Sequence, residues 1–136
     1  MGTTGRDGSR PRGVITALRL ATAAVWLTFG VVFKLLGVVP RHRAIVAAVV
    51  GEAAATPVTL LVGAGETVLG LWILSGRRPR TCAAVQTLAI ATMNAVELSV
   101  ARELLLAPVA MVCANILFLA AVWYAALRAP VPVRVS

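Results

Sequence analysis

Few side chains in this sequence can do chemistry, and those that can stand inside long apolar stretches. Glu66 falls in Gly63-Ala64-Gly65-Glu66-Thr67, Asn94 and Glu97 stand one helical turn apart further along, Asn115 lies in the last apolar run, and Lys34 closes an earlier one. Two carboxyls, an ammonium and two amides are groups that can hold a proton, stabilise an anionic oxygen and orient carbonyls. Other chemistry is excluded. His42 is the only histidine, so neither a haem with two axial histidines nor a zinc site with several nitrogen and sulfur ligands can be built within one chain. Cys82 and Cys113 form no Cys-x-x-Cys pair, fall at opposite depths of two helices and read as small apolar packing residues. Neither a phosphate-cradling glycine loop nor a Ser-His-Asp set is visible.

The elements that position these groups follow from composition. Of 136 residues, 60% are hydrophobic and 13% charged. A soluble domain carries roughly 25% charged residues and cannot cover its surface with so few. A soluble enzyme, a disordered chain and a nucleic-acid-binding module are thereby excluded, and the lipid bilayer is the first partner. Apolar runs predict membrane helices over about 14–36, 57–75, 81–100 and 106–127, with polar tails at 1–13 and 128–136. Gly37-Val38-Val39-Pro40 ends the first run, and Pro57 is expected to start the second. Between them, 41–56 has apolar residues at helical spacing, as in a short helix lying on the outer membrane surface. The first run is too long for the core of a secretory signal and has no cleavage pattern after it. No internal repeat is evident. The fold class expected is an all-α, up-and-down four-helix transmembrane bundle.

The net charge of +8 belongs to topology. Eight arginines (Arg6, Arg10, Arg12, Arg77, Arg78, Arg80, Arg128 and Arg134) fall on the side of the two tails and the middle turn, against Arg41, Arg43 and Arg102 on the other. The imbalance places both termini in the cytoplasm. No aromatic residues interleave with these charges as a base-stacking surface requires, so nucleic acid is not an expected partner. Trp123 and Tyr124 read as a cytoplasmic aromatic belt, and Trp26 and Trp72 as packing or interface residues.

Glu66 lies ~13 Å from the outer end of its predicted helix at 1.5 Å per residue. A charge at such depth costs roughly 2.5–3.5 kcal/mol on insertion scales, so the carboxyl either carries a proton or is neutralised by a cation. Thr59, Gly63, Glu66 and Gly70 follow one another at steps of four, three and four. They therefore share a face on which small residues let another helix approach, and Glu66 is expected to point into the bundle. Asn94 and Glu97, with Gln86 roughly below them, share a face of the third helix, and Asn115 falls at a similar depth on the fourth. Lys34 can reach the same level on its flexible stem. Glu66, Lys34, Asn94, Glu97 and Asn115 are thus the candidate ligand-binding or proton-handling residues. The structural alternatives are Lys34 snorkelling to head groups, the asparagines as interhelical glue worth about 0.6 kcal/mol each, and Glu97 pairing with Arg102.

The run 26–36, in which an aromatic-glycine stretch leads into Lys34-Leu35, resembles the first-helix signature of DoxX-like membrane proteins. Gly63-x-x-Glu66 followed by an apolar stretch and Gly70-Leu71 resembles their second-helix motif, and Pro108 with Asn115 fits one branch's fourth helix. The similarity covers roughly 18–126. It implies a bacterial plasma (inner) membrane protein of four helices, often a partner of redox enzymes. Some members are associated with thiosulfate:quinone oxidoreduction, others with oxidative-stress complexes. The family's Lys and Glu map onto Lys34 and Glu66, and no catalytic role transfers beyond that.

The function expected is an accessory or quinone-interacting subunit that supports a membrane redox system through a polar pocket in the outer half of the bundle. It would dock a redox partner protein, and a second copy of the chain is a further candidate partner. The cofactor expectation is a quinone, with no metal or covalent group; a non-catalytic subunit fits better than a self-sufficient enzyme. A small proton-coupled transporter is the alternative, although short multidrug carriers keep their proton-binding Glu in the first helix, where this chain has none. A structural assembly protein is the third reading.

Overall fold

The computed structural model describes residues 9–130. Five helices follow one another: α1 (Ser9–Leu27), continuing as a π-helix over Thr28–Leu35, then α2 (Pro40–Val50), α3 (Glu52–Ser75), α4 (Pro79–Val100) and α5 (Pro108–Arg128). A 3-10 turn, Arg102–Leu104, joins α4 to α5, and no strand occurs among the described residues. Pro11–Leu35, Glu52–Ser75, Pro79–Val100 and Pro108–Arg128, of 25, 24, 22 and 21 residues, are long and apolar enough to cross a membrane. About 20 residues are needed for one crossing. The protein is an all-α, multi-pass membrane bundle of four long helices, with α2 as a shorter fifth at one end. The ends of α1, α3 and α5 that gather around Arg77 define one end of the bundle. α2 and the turn after α4 define the other.

Several element bounds differ from those expected. α1 begins at Ser9, inside the stretch expected as a tail, while the tail residues 1–8 and 131–136 lie outside the described residues. α3 begins at Glu52, and Pro57 stands inside it. The proline costs the carbonyl of Ala53 its helical donor. That loss is tolerable because Ala53 is exposed near the helix start. Gly51, at φ +85° and ψ 160°, makes the sharp turn between α2 and α3, a conformation that disfavours any side chain. Pro79 and Pro108 open α4 and α5, where their missing N–H is no loss.

The surface is turned inside out relative to a soluble protein. Leu61, Leu88 and Leu117 are 72%, 69% and 72% exposed, as lipid-facing residues should be. Inside, α1 packs along α3, α4 along α5, and α5 closes onto α1; α3 and α4, although consecutive, touch little. Ala23, Trp26, Leu69, Ile73, Cys82 and Ile90 form the main core. Trp26 Nε1 donates to Gln86 Oε1 at 2.9 Å, tying α1 to α4. Trp123 Nε1 donates to Thr87 Oγ1 at 3.0 Å. Trp123 therefore turns in towards α4 rather than joining an aromatic belt, because burying the ring next to α4 also satisfies its N–H. Tyr124 stays exposed, its ring 5.3 Å from the Arg128 guanidinium.

The backbones of the first and second crossings approach closely at Gly30 and Gly63. A Cβ on Gly30 would lie 2.7 Å from the Gly63 carbonyl oxygen, and one on Gly63 would lie 2.8 Å from Lys34 Cβ. Gly63→Ala is expected to push α1 from α3 and destabilise the protein by about 1–3 kcal/mol, the usual range for overpacking. Gly65→Ala, with nothing within 4 Å of the added methyl, should leave the melting temperature in detergent unchanged or slightly higher.

Candidate functional site

Lys34 and Glu66 meet where those glycines let the backbones touch. Lys34 Nζ donates to Glu66 Oε1 at 2.7 Å and to Oε2 at 2.8 Å, and the two residues are only 6% and 5% exposed. The Lys34 ammonium also lies 5.6 Å from the centre of the Phe29 ring. The cation that neutralises Glu66 is thus Lys34 itself, drawn inward rather than snorkelling to the head groups. The segment that carries it is the π-helix, in which Leu36 N donates to Val31 O, five residues back, at 2.9 Å. Each such turn takes in one residue more than an α turn and so rotates the downstream side chains about the axis. Phe29 and Phe33 pack edge to face at 5.0 Å within this segment, and His42 of α2 stacks on Phe33 at 5.5 Å.

A cavity of about 420 Å³ opens beside the pair, between the α2-end halves of the long helices and α2 itself. All five sequence-derived candidates line it: Lys34, Glu66, Asn94, Glu97 and Asn115. Asn115 Nδ2 donates to Asn94 Oδ1 at 2.7 Å, so the asparagines also bind α4 to α5. Glu97 makes no ion pair with Arg102 among the described residues; it is half-buried on the cavity wall, within the fields of Lys34, Glu66 and Arg41. Gln86 lies apart, buried against Trp26. Most of the remaining wall is apolar or aromatic, including Trp26, Phe29, Met93, Met111 and Phe118. Among the described residues no group of three His, Cys, Asp or Glu side chains is placed to hold a metal.

Two polar residues of this cavity, Arg41 and His42, had no place in the sequence-derived set. Their signal was present: Ile45, the buried residue of α2, lies three residues beyond His42, so both share its inward face. Burial, with the nearby charges of Lys34 and Arg41, pushes the His42 imidazole down to about 4. It is therefore a neutral ring at physiological pH, able to donate from one nitrogen and accept at the other. Arg43, on the outer face of α2, reaches Glu52 at 2.9 Å and Thr56 at 3.0 Å, an exposed clamp worth at most about 1 kcal/mol.

The family model described as the DoxX-like family matches residues 23–123, which include every residue of the ion pair and of the asparagine pair. No curated protein and no solved structure matches the chain.

Removing one partner of a buried ion pair strands the other charge. Glu66→Gln is expected to cost about 3–5 kcal/mol, while Lys34→Met combined with Glu66→Gln should recover most of that loss. A double-mutant cycle read by unfolding in mixed micelles measures the coupling. His42 gives a pH signature. Its folded value lies below the ~6.5 of an unfolded chain, so the unfolded state binds more protons in between, and stability should fall as pH drops from about 6.5 towards 4. The imidazole resonances in a labelled sample should titrate near the lower value, and His42→Phe should flatten the stability profile across that window.

Proposed function

Because the chain belongs to the DoxX-like family, we propose that it is a membrane subunit that binds a quinone, or a similar small lipophilic carbonyl compound, in the cavity beside Lys34 and Glu66, and supports a membrane redox system. The observation that carries this reading is the wall of that cavity, in which a fixed ion pair and a fixed amide pair are set into a largely apolar surface. Small-molecule sites typically have about 300–1,000 Å³ of mostly apolar space and a few placed polar groups, and this cavity lies within that range.

The residues have separable tasks. Asn94 keeps its amide N–H donors after accepting from Asn115, and so can hold a carbonyl oxygen. Lys34 supplies the positive charge that an oxygen gaining electron density requires, and Glu66 keeps that ammonium at a fixed point. Glu97 can exchange a proton with a ligand in the cavity, and the neutral His42 ring can hydrogen-bond to it. A quinone, when bound, supplies the electron transfer, and the electrons come from a catalytic partner that docks on this chain. The proposed setting is a bacterial inner membrane with both termini in the cytoplasm, a reading supported by the excess of arginine at the Arg77 end, and the cavity would then lie in the outer half of the bilayer.

Titrating a short-chain ubiquinone analogue against the purified protein, with quenching of tryptophan fluorescence as readout, tests the reading, since Trp26 lines the cavity. Asn94→Leu should weaken binding about fivefold to tenfold, the value of one hydrogen bond of roughly 1 kcal/mol or slightly more. Glu66→Gln should weaken it as well. Equal affinity in wild type and both variants would reject the assignment.

A further inference from the structure

A second cavity, of about 290 Å³, lies at the opposite end of the bundle, with walls from α1, α3, α4 and α5. Arg12, Arg19 and Arg77 line it, with Trp72 and Val122 on its apolar side. Arg77 is set by its turn: Trp72 Nε1 donates to the Arg77 carbonyl at 2.9 Å, and the Arg77 N–H donates to Ser75 Oγ at 3.3 Å. Arg19 enters from within α1. Its guanidinium passes so close to Gly76 that a Cβ there would lie 2.6 Å from Nη1. Its Nε is buried and has no hydrogen-bond partner, the only such side-chain atom among the described residues.

Among the described residues, no carboxylate pairs with these arginines; the two ion pairs are Lys34–Glu66 and Arg43–Glu52. Glu97 and Glu103 belong to the α2 end of the bundle, and Asp7 lies outside the described residues. The negative end of the α3 helix dipole, near Gly76, favours a cation there. It offsets part of one guanidinium, not three around a cavity with an apolar side, where like charges repel more strongly than in water.

We propose that this cavity binds a phosphate-type oxyanion, held by Arg12, Arg19 and Arg77. The planar guanidinium fork matches the spacing of phosphate oxygens, and Arg19, whose buried Nε has no protein partner, forms part of the wall. The cavity lies at the ends of the membrane-spanning helices, at head-group level, with an apolar flank beside it. An anionic phospholipid head group and free inorganic phosphate share this chemistry. The site is independent of the cavity at the α2 end.

The test uses the full chain, delipidated in a neutral detergent, with binding read by melting temperature and by native mass spectrometry. Phosphatidylglycerol should raise the melting temperature saturably, and phosphatidylcholine should not. Arg12→Gln and Arg77→Gln, both at exposed positions, should each weaken the effect at least fivefold, and Arg19→Gln more, whereas Arg102→Gln at the other end should not change it. The Arg12 and Arg77 variants decide the matter even if the Arg19 variant fails to fold. Competition by inorganic phosphate would identify the free anion as sufficient, and its absence would identify the head group with its chains; either result upholds the site. Equal stabilisation by phosphatidylcholine, or equal affinity in the Arg12, Arg77 and Arg102 variants, would overturn it.

Discussion

A carboxylate and an ammonium inside lipid are affordable only if each fully satisfies the other, and that demand organises this bundle. Lys34 can reach both oxygens of Glu66 because α3 and the π segment of the first crossing approach at Gly30 and Gly63 until backbone meets backbone. Any side chain at either glycine would widen the gap. The ion pair would then face an apolar medium without its short hydrogen bonds, where attraction no longer offsets desolvation. The close approach and the ion pair are therefore one device, and the cavity beside it inherits a charge fixed in place.

That device shapes the rest of the α2 end. The π segment presents Phe29 and Phe33 to α2, and His42 stacks on Phe33 and meets Phe29 edge to face. α2 thus serves as a polar-edged cover, laying Arg41 and His42 over a cavity whose other walls come from all four long helices. Across from the ion pair, the asparagine pair joins α4 to α5. The structural and functional readings of these amides do not compete, since a bond between helices also fixes the donors left over for a ligand.

The two ends of the molecule differ in how charge is held. At the α2 end two cations have protein partners: Lys34 has Glu66, and Arg43 has Glu52. Around Arg77 the cations gather without a carboxylate among the described residues, with Gly76 left bare so that Arg19 can pass. Among the described residues, both ion pairs lie at the α2 end and none at the other.

Class and layout were legible from sequence. Runs of apolar residues long enough to span a bilayer are a local property, and lipid forces each run to satisfy its own backbone, so four crossings and the depth of Glu66 follow without knowledge of packing. The level shared by Lys34, Glu66, Asn94, Glu97 and Asn115 came from the same arithmetic, and the coordinates place all five on one cavity. Local arithmetic could not supply rotation about the helix axes. Whether Lys34 turns out to head groups or in to Glu66 depends on the phase of a π-helix, which depends in turn on a glycine contact 33 residues away along the chain. The inward turn of Trp123 and the place of His42 over the cavity were decided in the same way. Each depends on a neighbour brought close only by the folded bundle, where a buried polar group takes the partner that packing offers it.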